Sequence, residues 1–220
     1  MKILDVIDGK EIKIENDTIS YNKTIIHFKD VIDLYYSSSE VNGNVIIGLN
    51  ISDKNKKRID ISYTNSSLIR LKNEREKVLE ISLKFNSLYQ KLYPVLFPLI
   101  IQNKLDLIKS GKDVKIWKLH FNKLGVSFNP KKYLWLIKVE VPYQFAIVTF
   151  NRRKIGFGGH NGSGNLFEIE NIKTRKKYYN TTNLLFQPSS SEFEQINAII
   201  NYLKREKENN LKFDDYDKLI

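Results

Sequence analysis

The spacing of apolar residues changes period twice along the chain, and this switch constrains the fold more than any motif does. Up to residue 65 apolar and polar residues alternate, as in KILDVID (2–8), EIKIEND (11–17), TISYN (18–22) and RIDISYT (58–64). Period-two alternation marks strands with one buried face. IIHFKDVIDLYY (25–36) and NVIIGLNI (44–51) read as two further strands, the second entered from the turn residues Asn42-Gly43-Asn44. From Ser67 to about Tyr93 the apolar positions become Leu71, Val78, Ile81, Phe85, Leu88 and Leu92. Spacings of three, four and seven place them on one helix face.

Alternation then returns in KIWKLHF (115–121), LGVSF (124–128), YLWLIKVEV (133–141), QFAIVTF (144–150), KIGFG (154–158), NLFEIEN (165–171) and KYYNTTNLLF (177–186). After the N-cap candidates Ser189 to Ser191 a second helical stripe follows, of Phe193, Ile196, Ile199, Ile200 and Leu203. The expected order is about six strands and a helix, then seven strands and a helix. The expected class is α+β, with two antiparallel β-meander units each closed by a C-terminal amphipathic helix.

Pro94 is expected to end or kink the first helix, because proline lacks an N–H and clashes with the preceding turn. A second helical stretch is then expected from Phe97 to Lys109, stopping near Gly111. These boundaries divide the chain into a unit at 1–93, a helical connector at 94–112, a unit at 113–207 and a tail at 208–220. The run LYPVLFPLII (92–101) is too short to span a bilayer and is expected to be buried between the halves or in a dimer. The halves also echo each other, with ISYNKTIIHF (19–28) resembling VSFNPKKYLWL (126–136).

The meander introduced by GVSFN (125–129) and followed by the aromatic strand Tyr133-Leu134-Trp135-Leu136, with one helix to close it, resembles the bacterial pleckstrin-homology-like fold. The resemblance covers 115–207 and, less fully, 1–93, as two tandem copies. It rests on element order. It implies two PH-like units and a binding role. Two departures stand against it: the first half reads one strand short, and 94–112 has no counterpart. Lipid-binding members group several basic residues between their first two strands. Here that turn holds only Asn122 and Lys123, so phosphoinositide recognition does not carry over.

KIGFGGHNGSGNLF (154–167) carries five glycines between Gly156 and Gly164. A Walker loop needs Lys-Ser/Thr after its last glycine, whereas Asn165-Leu166 follow Gly164. The dinucleotide pattern starts at Gly156 and Gly158 but meets Asn161 in place of its third glycine. Both need a helix next, to bind the anion at its N-terminus, and the alternating LFEIE is a strand. A hairpin turning at Asn161-Gly162 is the plainer expectation. An enzyme with a site at this loop, built from His160 and nearby carboxylates such as Glu168, stands as the minor alternative.

Nothing else in the sequence carries catalytic chemistry. The chain has no cysteine, which excludes disulfides, thiolate zinc sites and cysteine nucleophiles. His27, His120 and His160 are far apart and lack metal-ligand spacing. Glu168 and Glu170 share a strand face that reads as solvent-facing, and Asp214, Asp215 and Asp217 do not form a calcium loop. No catalytic residue, cofactor or metal is therefore assigned. The N-terminus carries acids where a signal peptide needs an apolar core, so a cytoplasmic location and no transmembrane segment are expected.

The formal charge is +11, distributed as −4 over 1–53, +6 over 54–92, +9 over 93–160 and zero over 161–220. Part of the lysine content matches the coding bias of an AT-rich sequence. The rest gathers in Lys54-Asn55-Lys56-Lys57-Arg58, Lys131-Lys132, Arg152-Arg153-Lys154 and Arg175-Lys176-Lys177, all at expected strand ends and beside Tyr133, Trp135, Tyr178 and Tyr179. Lys131, Lys132, Arg152, Arg153, Lys154, Arg175, Lys176 and Lys177 are the candidate anion-binding residues. They suit a non-catalytic binding or scaffold module for anionic lipid headgroups or an acidic protein. Nucleic acid bound by the same loops is the alternative, without any recognisable reading motif and against an acidic first 53 residues.

Overall fold

In the computed structural model, residues 3–7, 9–41, 44–65, 72–129, 138–157, 160–180 and 190–216 are described. Fourteen strands and two long helices lie among them, and the chain divides into units Met1–Lys104 and Leu105–Ile220. The class is α+β with small antiparallel sheets, as the periodicity implies.

In the first unit β1 (Ile3–Ile7), β2 (Lys10–Glu15), β3 (Thr18–Tyr21) and β4 (Thr24–His27) form one antiparallel meander. β5 (Val31–Val41), β6 (Asn44–Asp53) and β7 (Arg58–Asn65) form a second. Pairing Ile14 with Ile19 and Ile19 with Ile26 stacks three fully buried isoleucines in one row. The next row, Lys13, Ser20 and Ile25, faces out, as the pleat requires. β7 alternates strictly, with Ile59, Ile61 and Tyr63 inside and Asp60, Ser62 and Thr64 outside.

The run Ile25–Tyr36 is thus two strands, and the first half holds seven strands instead of six. A 3-10 turn, Phe28–Asp30, breaks the run. The bonds that hold the break come from far along the chain. Phe28 N–H donates to the Asp17 carbonyl at 2.8 Å, and Asn103 Nδ2 donates to the carbonyls of Lys29 and Val31 at 2.9 and 2.8 Å. No local glycine or proline announces it.

α1 (Lys72–Lys109) is a single helix of 38 residues that passes through Pro94 and Pro98. The expected break, second helix and separate connector are therefore absent. Both prolines are exposed, so their rings lie on the solvent side of the helix. Leu88, Leu92, Leu96 and Ile100 continue an i, i+4 stripe on the opposite side, each fully buried in the first unit's core. Burial at about 1.5–3 kcal/mol per side chain offsets an interior proline's cost of about 3 kcal/mol. LYPVLFPLII thus contributes Leu92, Leu96 and Ile100 to the first unit's own core. The unit boundary falls within this helix, after Lys104.

The second unit repeats the plan. β8 (Val114–Ile116), β9 (Leu119–Phe121), β10 (Gly125–Phe128) and β11 (Val139–Pro142) form a four-stranded meander. A 3-10 turn at Tyr143–Phe145 follows, and then the three-stranded sheet of β12 (Ala146–Phe157), β13 (His160–Asn171) and β14 (Lys176–Asn180). α2 (Ser190–Tyr216) closes the series and buries Ile196, Ile199, Ile200 and Leu203 as its periodicity predicts. It runs on through 208–216, where a tail is expected from sequence.

KIWKLHF is a hairpin and not one strand. Val114 and Ile116 are buried, then Leu119 and Phe121, so the parity of burial flips across Trp117-Lys118. Trp117 takes the left-handed conformation, φ 53°, as Gly9 does (φ 74°) in the corresponding first hairpin.

The repeat extends to individual hydrogen bonds. Lys54 N–H donates to the carbonyl of Asp30, the last residue of the first 3-10 turn, at 2.9 Å. Ile172 N–H donates to the carbonyl of Phe145, the last residue of the second, also at 2.9 Å. Each 3-10 turn opens on a buried aromatic tied to an earlier hairpin: Phe28 to Asp17, and Tyr143, whose hydroxyl donates to the Asn122 carbonyl at 2.7 Å.

Candidate functional site

The β6–β7 turn is built by Asp53. Its buried carboxylate accepts the N–H groups of Asn55 at 2.9 Å and Lys57 at 2.8 Å, an Asx turn that closes with Lys56 in the left-handed region (φ 67°). Local bonding fixes the backbone and directs Lys54, Lys56, Lys57 and Arg58 into solvent. The β13–β14 turn uses the same device. Asn171 Oδ1 accepts Lys173 N–H at 3.1 Å and Thr174 N–H at 3.3 Å, and Arg175 adopts φ 55°.

Lys57 and Arg58 meet Lys23, Thr24 and Ile25 of the β3–β4 turn across an open groove of about 250 Å³. Arg58 is partly neutralised, with Nε 2.7 Å from Asp60 Oδ1 and an NH2 group 3.3 Å from Asn50 Oδ1. Lys54 is held by Asp30 at 2.7 Å, and that ion pair lowers the Asp30 carboxyl below its ordinary range. Among the described residues no carboxylate pairs with Lys23 or Lys57. Lys23, Lys57 and Arg58 thus line one groove, and of the three only Arg58 is paired with a carboxylate among the described residues. Lys23 is visible in sequence as the lysine of the Asn22-Lys23 turn, but its nearness to Lys57 depends on packing one sheet against the other.

The residues singled out from sequence are distributed differently. Lys131 and Lys132 lie outside the described residues. Arg152, Arg153 and Lys154 are not in a strand-end turn. They sit inside β12, paired with Asn165, Gly164 and Ser163. Asn165 is six residues from Asn171, about 20 Å of strand, so this basic run does not join the β13–β14 turn. Arg175 and Lys176 are exposed at that turn. Lys177 is bound: its Nζ lies 3.2 Å from Glu168 Oε1 and 3.4 Å from Glu170 Oε2, which raises its pKa above the usual lysine value. The buried Glu168 faces this ammonium, so the outward-facing pair of carboxylates expected at 168 and 170 is half buried and bridged.

Of the five glycines, Gly156, Gly162 and Gly164 lie in a strand ladder, and Gly158 and Gly159 lie outside the described residues. β12 and β13 pair without interruption down to Phe157↔His160. Asn161 and Gly162 sit opposite Gly156 and Ile155 within the ladder, so they do not form the turn expected there. Continuous pairing of twelve residues outweighs the local preference of an Asn-Gly pair. His160 and Glu168 lie eight residues apart on one strand, about 26 Å, and do not form one site. His120, in β9, has Nδ1 3.0 Å from Asp113 Oδ2. Among the described residues no group of three His, Asp or Glu could hold a metal ion, and no helix is long and apolar enough to cross a membrane.

No family model, curated protein or solved structure matches the chain.

Proposed function

We propose that the chain is a non-catalytic binding module, a tandem pair of pleckstrin-homology-like units that engage an anionic surface through basic turns at strand ends. The observation that carries this reading is the convergence of Lys23, Lys57 and Arg58 on one open groove from two separate turns. Lys23 and Lys57 are both exposed, and two cations drawn to one groove raise its positive potential. A polyanion is attracted to such a potential. Arg175 and Lys176 serve the corresponding turn of the second unit. The repeated order of four strands, a 3-10 turn, three strands and a helix supports the two-unit description.

Each Lys or Arg near an anionic surface is worth about 1 kcal/mol, roughly five-fold in affinity. The test is retention of the full chain on phosphatidylserine-containing phosphatidylcholine vesicles and on soluble polyglutamate, each at low and physiological salt. The expected result is retention on an anionic probe that weakens with salt and falls in Lys23→Ser/Lys57→Ser. No retention on either probe at either salt, or affinity confined to nucleic acid with a steep salt slope, would overturn the reading.

A further inference from the structure

We infer that the surface recognised by the first unit is a lipid bilayer, into which Ile25 inserts. This rests on the anionic-surface reading above and names its partner. The groove that gathers Lys23, Lys57 and Arg58 is also lined by Ile25, whose side chain is 51% exposed. It stands beside Ile26, which is fully buried in the core. The strand alternation that buries Ile26 turns its neighbour outward, onto the basic groove. Here a β-branched apolar side chain sits among cations.

An acidic protein surface or a nucleic-acid backbone would leave Ile25 against charged groups. A bilayer interface accepts both: lysine ammonium groups at the headgroups and an isoleucine at the acyl boundary. The second unit makes the same pairing at its β13–β14 turn. Ile172 is exposed there between the second 3-10 turn and the exposed Lys173, Arg175 and Lys176, with Lys173 lying over the Phe145 ring.

The experiment compares the full chain with Ile25→Ser, Ile172→Ser and Lys23→Ser/Lys57→Ser. Each is measured on mixed phosphatidylcholine–phosphatidylserine vesicles, on pure phosphatidylcholine vesicles and on soluble polyglutamate. All these side chains are exposed, so the variants keep the fold, which far-UV circular dichroism checks. Ile25→Ser is expected to weaken partition to the charged vesicles about five-fold and to leave polyglutamate retention unchanged. The double lysine variant is expected to weaken both, by about 25-fold on vesicles. Unchanged vesicle partition in Ile25→Ser alongside loss in the lysine variant would overturn insertion while leaving the anionic-surface reading in place. An inert lysine variant would overturn that reading itself. Binding to polyglutamate without binding to charged vesicles would replace the bilayer with an acidic protein partner.

Discussion

Lys104 Nζ lies 2.7 Å from Asp33 Oδ1, the lysine side chain only 4% exposed and the aspartate 51% exposed. The ammonium has lost its water, and the carboxylate has kept about half of its own. Removing the two partners therefore has unequal consequences. Asp33→Ala removes the carboxylate that this buried cation faces and is expected to cost about 2 kcal/mol, less than a fully buried pair because water screens the carboxylate. Lys104→Met leaves an aspartate that water can solvate and is expected to cost less than 1 kcal/mol. Chemical denaturation of both variants and of the double variant checks this. The double is expected to be more stable than Asp33→Ala alone.

Gly125 opens β10 opposite Pro142. A Cβ there would press into the Val141 carbonyl and come within 2.9 Å of Pro142 Cα. Backbone cannot step aside as a flexible side chain can. Gly125→Ala is expected to destabilise the second unit by about 3 kcal/mol. Gly9→Ala, where φ is +74° but nothing lies within 4 Å, is expected to cost only about 1 kcal/mol. Thermal denaturation of the two variants measures the difference.

Tyr143 is 1% exposed and bonded to the Asn122 carbonyl, and burial pushes its phenol well above the ordinary tyrosine range. The unfolded phenol ionises near pH 10 and the folded one does not. The stabilisation is therefore complete below pH 10 and is lost as pH rises above it. Stability measured against pH is expected to fall on the alkaline side more steeply in the native chain than in Tyr143→Phe. At neutral pH that variant is expected to be less stable by about 1 kcal/mol, the worth of its hydrogen bond.

What could be read from the sequence follows how local each cause is. The stripes at Ile81, Phe85, Leu88 and Leu92, and at Ile196, Ile199, Ile200 and Leu203, are written in neighbouring residues, and both helices form where the period requires. The break at Phe28–Asp30 is held by Asn103, more than seventy residues away, and no window of sequence contains both. Pro94 and Pro98 fall on the exposed side of a helix whose other side is buried, so their local preference is outweighed. Parity of alternation does mark the Trp117-Lys118 hairpin, since apolar positions change from even to odd there. For the site, basic turns are visible as charge runs, and Lys57 and Arg58 are among them. That Lys23 and Ile25 share a groove with them comes from the packing of one sheet against another. Lys177, a free cation by sequence, is taken up by Glu168 and Glu170 across the sheet.

The most direct test of the central claim is partition to charged phosphatidylcholine–phosphatidylserine vesicles when the basic turns of both units are neutralised together. The chain with Lys23, Lys57, Arg175 and Lys176 all changed to serine is compared with the native chain at physiological salt. At about five-fold per cation, the account predicts that the native chain is retained and the variant, equally folded, stays in solution. Equal partition of the two chains would contradict it.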